Sequence, residues 1–331
     1  MPILPSSYTS PPWFYFNGHV ETIVPSIFRK VLGVNYRREK IDAPDGDFLN
    51  LDWSSVGGDR LLLVSHGLEG DSQRHYALAL VKLFNLQGMD VLVWNNRSCG
   101  GELNLQPVLY HHGSSQDLDT VVQHVLATHC YSELFLAGIS MGGAQTLNYL
   151  GKKGEQVPYI LKKAAVYSTP VHLPSSAATL YRPENKFYAQ KFLRKLKKKM
   201  EAKGKQYPGL IDLERLPRVR NFDDFDTHYT AKLHGFVDAA DFYEQASPHR
   251  RLEEISIPTL ILNAANDPLL GRECFPMSIA QRSDKIFLEV PSRGGHTGFT
   301  VGGSEFNYAE CRLLEFLTDI QNPRLCKNKN T

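Results

Sequence analysis

Short apolar runs alternate with segments of helical periodicity along most of the chain. Six runs have the length and apolar character of buried strands, at residues 60–65, 89–94, 134–138, 164–167, 259–263 and 286–290. Apolar residues at three- and four-residue spacing predict helices over residues 76–86, 117–130 and 305–320, and another that begins at residue 145. Strands that alternate with helices form a mostly parallel sheet covered on both faces, so the pattern predicts an α/β fold.

Two stretches depart from this alternation. Residues 36–56, around the turn signal at 43–47, predict an antiparallel hairpin on the edge of the sheet. Residues 174–249 show no strand pattern. One helix within them is basic except on the face formed by Tyr188, Phe192, Leu196 and Met200. We therefore predict a single domain over residues 1–331, with a helical cap at 174–249 inserted within it.

The composition is that of an ordinary globular protein, with 42% hydrophobic and 22% charged residues among 331. A formal net charge of +2, with no dominant basic stripe, gives no support for a nucleic-acid partner. No apolar run approaches the roughly 20 residues of a membrane-spanning helix, and residues 1–5 lack the pattern of a secretory signal. Five scattered cysteines without a C-x-x-C pair favour reduced thiols, so we expect a cytoplasmic protein.

The basic helix of the predicted cap has two interpretations. Lysines and arginines around an amphipathic helix are typical of a solvated surface. The same pattern is typical of a weak contact with anionic lipid headgroups at a membrane surface. The sequence alone leaves both interpretations open.

One motif carries chemistry directly. Gly138-Ile139-Ser140-Met141-Gly142 follows the apolar run at 134–137 and precedes a helical segment. A strand that runs into G-x-S-x-G forces the serine onto a sharp, strained turn, where its hydroxyl stands exposed above the sheet. Glycines two places before and after Ser140 remove the Cβ atoms that would clash in that turn. The alternative interpretation of this motif is a turn of small residues after a buried strand, without a catalytic role.

A serine hydroxyl becomes a nucleophile only with a base beside it and a third group that orients the base. Asp267 directly follows the predicted strand at 259–263, and His296 lies in a glycine-rich loop after the strand at 286–290. The order serine, acid, histidine is the one that this architecture uses. We therefore predict a catalytic triad of Ser140, Asp267 and His296 beneath the cap. A turn-capping aspartate and a surface histidine are the alternative interpretations.

A glycine-containing loop at 65–70 follows the first apolar run. We expect the backbone N–H groups of Leu68 and Met141 to form an oxyanion hole, which stabilises negative charge on the reacting carbonyl oxygen. We expect His66 to brace this loop, and Glu69 to fix it by a hydrogen bond or by an ion pair with Arg74. Neither scattered histidines nor cysteines show the spacing of a metal site, so we expect no metal and no cofactor.

Four segments together resemble the YheT-like branch of the α/β-hydrolases, namely 17–23, 66–76, 96–101 and 110–113. The resemblance spans nearly the whole chain. It implies an α/β-hydrolase fold with a cap, hydrolysis of carboxylic esters, and the roles of nucleophile, acid and base for Ser140, Asp267 and His296. The chain departs from the branch at Glu21, where Gln is usual, and at His112, where Ser is frequent; both positions lie outside the triad.

Three hypotheses about function follow. The first is a serine hydrolase that cleaves a small-molecule ester or a lipid-like substrate with a short to medium acyl chain. The second keeps the same triad but transfers the acyl group to an alcohol, which makes the protein an acyltransferase. The third is a hydrolase-fold protein that binds a ligand without catalysis.

Overall fold

A computed structural model describes residues 2–9 and 11–320. Within them the strands are β1 Ile3–Leu4, β2 Arg37–Asp42, β3 Phe48–Ser54, β4 Arg60–Ser65, β5 Asp90–Asn95, β6 Glu133–Ile139, β7 Leu161–Tyr167, β8 Thr259–Leu262 and β9 Ile286–Glu289. The helices are α1 Gly18–Phe28, α2 His75–Asn85, α3 Gln116–Thr128, α4 Met141–Lys153, α5 Leu173–Leu180, α6 Lys186–Gln206, α7 Phe222–Phe225, α8 Lys232–His234, α9 Ala239–Ala246, α10 Met277–Arg282 and α11 Tyr308–Thr318.

The described strands form one sheet in the order β1-β9-β8-β7-β6-β4-β5-β3-β2. In this order, every neighbouring pair from β1 to β5 is parallel. Strand β3 pairs with β5 and with β2, and both of these pairs are antiparallel. The predicted edge hairpin is therefore confirmed, and so is the mostly parallel α/β sheet. All six predicted strands are present, with ends that differ from the prediction by at most a few residues.

The sheet is buried between helices on both faces. Alternate residues of β4 show this, because Leu62 and Val64 pack with α2 and α11, whereas Leu61 and Leu63 pack with α3 and α4. Strands covered on both faces read as continuous apolar runs, which is why period-two alternation is absent from the sequence of these strands. The two layers fix the sheet, and the loops at its edges are thereby held in place.

Between β7 and β8 the chain forms helices α5 to α9 and no strand. The basic helix predicted there is α6, and its apolar face is turned inward, with Tyr188, Leu196 and Met200 buried and Phe192 partly buried. Phe192, Leu196 and Met200 belong to a third apolar cluster with Leu109, Tyr110 and Met141, which lie outside residues 174–249. Residues 226–231, between α7 and α8, form a π-helical turn.

The described cysteines only partly match the expectation of reduced thiols. Cys99, Cys130 and Cys274 are free. Cys311 is disulfide-bonded, so the expectation is wrong at that residue. Cys326 lies outside the described residues. In residues 2–9 and 11–320, no helix combines the length and the hydropathy that spanning a membrane requires.

The turn between β6 and α4 is tight. Ser140 has φ 55° and ψ −121°, and α4 begins at the next residue, four residues earlier than predicted. A Cβ on Gly142 would lie 2.1 Å from the carbonyl oxygen of Ser65, and one on Gly143 would lie 2.0 Å from Thr169 Oγ1. These glycines let the helix approach the neighbouring loops closely enough to close the turn.

We predict that Gly142→Ala destabilises the fold, because the added methyl group meets the backbone carbonyls of Ser65 and His66, which cannot rotate away. The expected loss is about 1–3 kcal/mol of unfolding free energy, measured by urea denaturation. Gly302→Ala is the control, since its nearest neighbour would be Pro12 Cγ at 3.6 Å. Equal stabilities of the two variants would contradict the close approach.

Candidate active site

The structure brings Ser140, His296 and Asp267 together. His296 Nε2 lies 2.9 Å from Ser140 Oγ, and His296 Nδ1 lies 2.8 Å from Asp267 Oδ2. The three residues follow β6, β9 and β8, whose carboxyl ends meet at one edge of the sheet. Asp267 is 6% exposed and His296 is 9% exposed, whereas Ser140 is more accessible. The hydroxyl, the imidazole and the carboxylate form one continuous hydrogen-bonded chain.

Backbone contacts hold each member of this chain. The Leu269 N–H donates to Asp267 Oδ1 at 2.9 Å, which leaves Oδ2 to face the imidazole. The His296 N–H donates to Thr22 Oγ1 at 2.8 Å. The Ser140 N–H donates to the carbonyl of Tyr167 at 3.1 Å. The carboxylate of Asp267 is thus held from within its own loop, whereas the backbones of His296 and Ser140 are held by α1 and by β7.

Helix α1 contributes a buried carboxylate that the sequence analysis gave no role. Glu21 is 1% exposed and lies against the loops that carry Asp267 and His296. It accepts hydrogen bonds from Arg293, Gly294 and Asn266. Its position in the 17–23 motif was visible in the sequence. Partners more than 240 residues away were not, because no local pattern records them.

The loop after β4 runs beside the serine. A Cβ on Gly67 would lie 3.2 Å from Ser140 Cβ. His66 is fully buried, its Nδ1 faces the Gly67 carbonyl at 2.8 Å, and its Nε2 faces the Asn96 N–H at 3.1 Å. Burial lowers the pKa of His66 to about 4, so the imidazole is neutral near pH 7 and braces the loop, as expected.

Glu69 fixes the same loop through other partners than the one expected. Its backbone N–H donates to Tyr110 Oη, which in turn donates to Glu69 Oε1. Lys199 of α6 pairs with that carboxylate at 2.7 Å, so the predicted ion pair with Arg74 is wrong. Sequence reasoning missed Lys199 because it lies 130 residues away, among the many basic residues of an amphipathic helix.

A largely apolar cavity opens at Ser140 and His296. Loops that follow strands of the sheet line it together with helices α5 to α9. Its apolar lining comprises Leu68, Leu109, Leu173, Leu180, Phe192, Leu196, Met200, Phe222, Phe225, Tyr229, Leu233, Phe242, Leu269 and Leu270. Among the described residues that line it, none is a lysine or an arginine. Burial lowers the pKa of His112 and of His234, each to about 4, so these two wall residues are neutral near pH 7.

One carboxyl group lies in the wall of this cavity. Asp226 is 7% exposed, and its two oxygens accept from Thr230 Oγ1 at 2.6 Å and Tyr243 Oη at 2.9 Å. Burial raises its pKa to about 7, since removing the carboxylate from water disfavours its charged form more than the two hydroxyl donors favour it. Asp226 is therefore the one carboxyl group among the described residues that line the cavity.

Within the described residues, His172, Glu244 and His249 place ligand atoms within 4.8 Å of one another, as a metal site requires. His172 Nδ1 already accepts from the Ser175 N–H, which uses the lone pair of a neutral imidazole. Glu244 pairs with Arg250. The group lies outside the cavity lining, and we assign it no metal.

Comparisons with known proteins agree with this architecture. The family described as "Serine aminopeptidase, S33" matches residues 58–276. YheT of Escherichia coli (strain K12) is 30% identical over 94% of this chain and 93% of its own length. Phospholipase ABHD3 of Bos taurus is 30% identical over 91% of this chain and 75% of its own. Among solved structures, the Pyrococcus furiosus esterase Pf2001 matches with a TM-score of 0.58 at 16% identity, covering 88% and 95% of the two chains, which supports the fold alone.

The sheet topology, the strand–serine–helix turn and these similarities over nearly the full length converge on one assignment. The chain belongs to the YheT-like branch of the α/β-hydrolase superfamily.

Proposed function

We propose that the protein is a serine hydrolase that cleaves carboxylic esters through an acyl-enzyme intermediate. The observation that carries the proposal is the hydrogen-bonded chain from Ser140 Oγ through His296 to Asp267. Relatives named as an esterase and as a phospholipase support a hydrolase that acts on esters.

In the proposed reaction, Ser140 Oγ attacks the acyl carbon while His296 Nε2 takes the hydroxyl proton. Asp267 holds the imidazole with Nδ1 protonated and stabilises the imidazolium that forms. His296 then returns the proton to the leaving alcohol, and the acyl group remains on Ser140. Water, deprotonated by the same imidazole, attacks the acyl carbon, the bond from that carbon to Ser140 Oγ breaks, and His296 returns the proton to Oγ as the carboxylic acid leaves.

We propose that the backbone N–H groups of Leu68 and Met141 stabilise the oxyanion. Met141 is the first residue of α4, where backbone N–H groups have no acceptor within the helix and attract negative charge. Leu68 follows Gly67, which lies against Ser140, and its side chain lines the cavity. Each such donor contributes about 3 kcal/mol to transition-state stabilisation in comparable enzymes.

We propose that residues 174–249 act as a cap and that the cavity beneath them holds a short to medium acyl chain. Helices α5 to α9 supply much of the apolar lining that faces Ser140. An apolar wall without a lysine or an arginine among its described residues favours a neutral chain over an anionic metabolite. The substrate would accordingly be a small ester or a lipid-like molecule.

We further propose that the basic face of α6 makes a weak contact with anionic lipid headgroups. An open groove along this helix is lined by Lys186, Arg194, Lys195, Lys197, Lys198, Lys205 and Arg220, with Glu201 as the acidic residue of its described lining. Of these, Lys186, Arg194, Lys195, Lys198 and Lys205 are exposed on α6. Such a surface attracts the anionic leaflet of a membrane without any inserted segment.

The proposed nucleophile is tested by Ser140→Ala. We expect hydrolysis of p-nitrophenyl butyrate to fall by at least about 10³-fold. Oxyanion stabilisation and substrate binding alone provide only a small fraction of the rate that the complete triad provides. A fluorophosphonate probe should label the native protein and leave the variant unlabelled. Ser132→Ala, an exposed serine elsewhere in the chain, serves as the control. Wild-type turnover by the Ser140→Ala variant would refute the assignment.

The titration of Asp226 predicts a pH-dependent stability difference. Its pKa is about 7 in the folded protein against an ordinary value of 3.8, so between these pH values the folded chain holds a proton that the unfolded chain has released. The free energy of unfolding therefore falls as pH rises from about 4 to about 7, by at most about 4 kcal/mol from this group.

Asparagine cannot ionise, so Asp226→Asn lacks this loss of stability. Its free energy of unfolding relative to wild type should therefore be higher at pH 8 than at pH 5. Urea denaturation of both proteins at the two pH values measures the difference. Parallel changes in the two proteins would show that the carboxyl of Asp226 does not titrate as we state.

Reversal of charge on α6 tests the lipid contact. Vesicles that contain phosphatidylglycerol should bind the native protein at about 0.1 M salt, where the Debye length is about 10 Å, and release it at about 1 M. The triple variant Arg194→Glu, Lys198→Glu, Lys205→Glu should bind at least about tenfold more weakly. Reversal of Arg251, Arg282 and Lys285, which changes the net charge equally, should have a smaller effect. Equal binding of the two triple variants would refute a specific role for α6.

A further inference from the structure

Helix α1 crosses the two loops that carry the proposed acid and base. Arg293 Nε donates to Glu21 Oε1 at 2.6 Å. The Gly294 N–H and Asn266 Nδ2 donate to Glu21 Oε2 at 2.6 Å and 3.0 Å. Asn266 precedes Asp267 by one residue, and Gly294 precedes His296 by two. One buried carboxylate thus bridges the loop after β8 and the loop after β9.

Helix α1 also contacts the backbone of His296, the proposed base, directly. Thr22 Oγ1 accepts from the His296 N–H at 2.8 Å and donates to the Gly18 carbonyl at 2.6 Å. The two loops are also joined directly, since the Gly295 N–H donates to Asn266 Oδ1 at 3.0 Å. Helix α1 is therefore connected to both loops, and these loops are connected to each other.

The packing of α1 against the loops leaves little room for displacement. A Cβ on Gly18 would lie 2.0 Å from the Asn266 carbonyl oxygen, and one on Gly298 would lie 2.1 Å from the Glu21 carbonyl oxygen. Backbone meets backbone at both points. The hydrogen bonds of Glu21 and Thr22 consequently act across a contact that is already close.

We propose that Glu21 is a positioning residue, which holds the Asp267 and His296 loops at the separation where these two side chains bond. The proposal rests on the proposed function. Gln is usual at this position in the branch, but in this chain the groups that bond to Glu21 are all N–H donors, one of them the guanidinium of Arg293, so a carboxylate fits them better than an amide. A carboxylate accepts at both oxygens, whereas an amide would turn its own NH₂ group toward some of these donors.

The expected consequence is kinetic. A loosened histidine loop lengthens the distances from His296 to Ser140 and Asp267, and proton transfer is sensitive to displacements below 1 Å. The cavity that would hold the acyl chain is lined by other residues, so substrate binding should change little. A lower kcat at nearly constant KM is therefore the signature of the positioning role.

The test is Glu21→Gln, which keeps the size of the side chain. We expect kcat for p-nitrophenyl butyrate to fall at least tenfold, with KM changed less than threefold and slower fluorophosphonate labelling of Ser140. The matched control is Asp52→Asn. Asp52 is equally buried, at 2% exposed, and accepts from Arg38, Ser72 and Asn95, none of which belongs to the loops that carry Asp267 and His296. The control should lose stability in urea and retain kcat.

Thr22→Val provides a second variant in case Glu21→Gln does not fold, and it should lower kcat in the same way. Wild-type kcat in a folded Glu21→Gln protein, or an equal loss in Asp52→Asn, would overturn the positioning role. Ser140→Ala, assayed alongside, separates the two proposals. If that variant remains active, the triad assignment fails; if it is inactive while Glu21→Gln is fully active, only the role of Glu21 fails.

Discussion

The structure depends on one constraint, that an imidazole must contact a hydroxyl on one side and a carboxylate on the other. Ser140 and His296 are 156 residues apart in sequence, and Asp267 and His296 are 29 apart. Parallel strands solve this problem, because β6, β8 and β9 all deliver their following loops to the same edge of the sheet. Layers of helices cover both faces of the sheet, and α1 then contacts the two loops that carry Asp267 and His296.

The serine is held by a different means. Its positive φ is unfavourable for a residue with a side chain, at a cost on the order of 1–3 kcal/mol, and persists only where the surroundings leave no alternative. Here those surroundings are two glycines of α4, packed against Ser65 and Thr169, and a backbone hydrogen bond to Tyr167. The strained turn is thus held by close packing and by a backbone hydrogen bond.

Sequence pattern predicted the strands well because each is buried on both faces and reads as an unbroken apolar run. It also located Ser140, Asp267 and His296, since each follows such a run. It failed at the start of one helix and at contacts between residues far apart in sequence. The start of α4 at Met141 was missed because glycines are weak helix formers, and the partners of Glu21 and Glu69 were missed because Arg293 and Lys199 lie far away in sequence.

Lys199 joins two parts of the molecule that must separate if substrate is to pass under α6. Its ammonium group contacts Glu69 in the loop after β4 and Cys99 Sγ at 3.2 Å, while Lys195 donates to the Glu69 carbonyl. Breaking a buried ion pair leaves both charges without compensation. A displacement of α6 from this contact would therefore disturb the loop that bears Leu68, so under the proposed function the position of α6 and the order of that loop would be coupled.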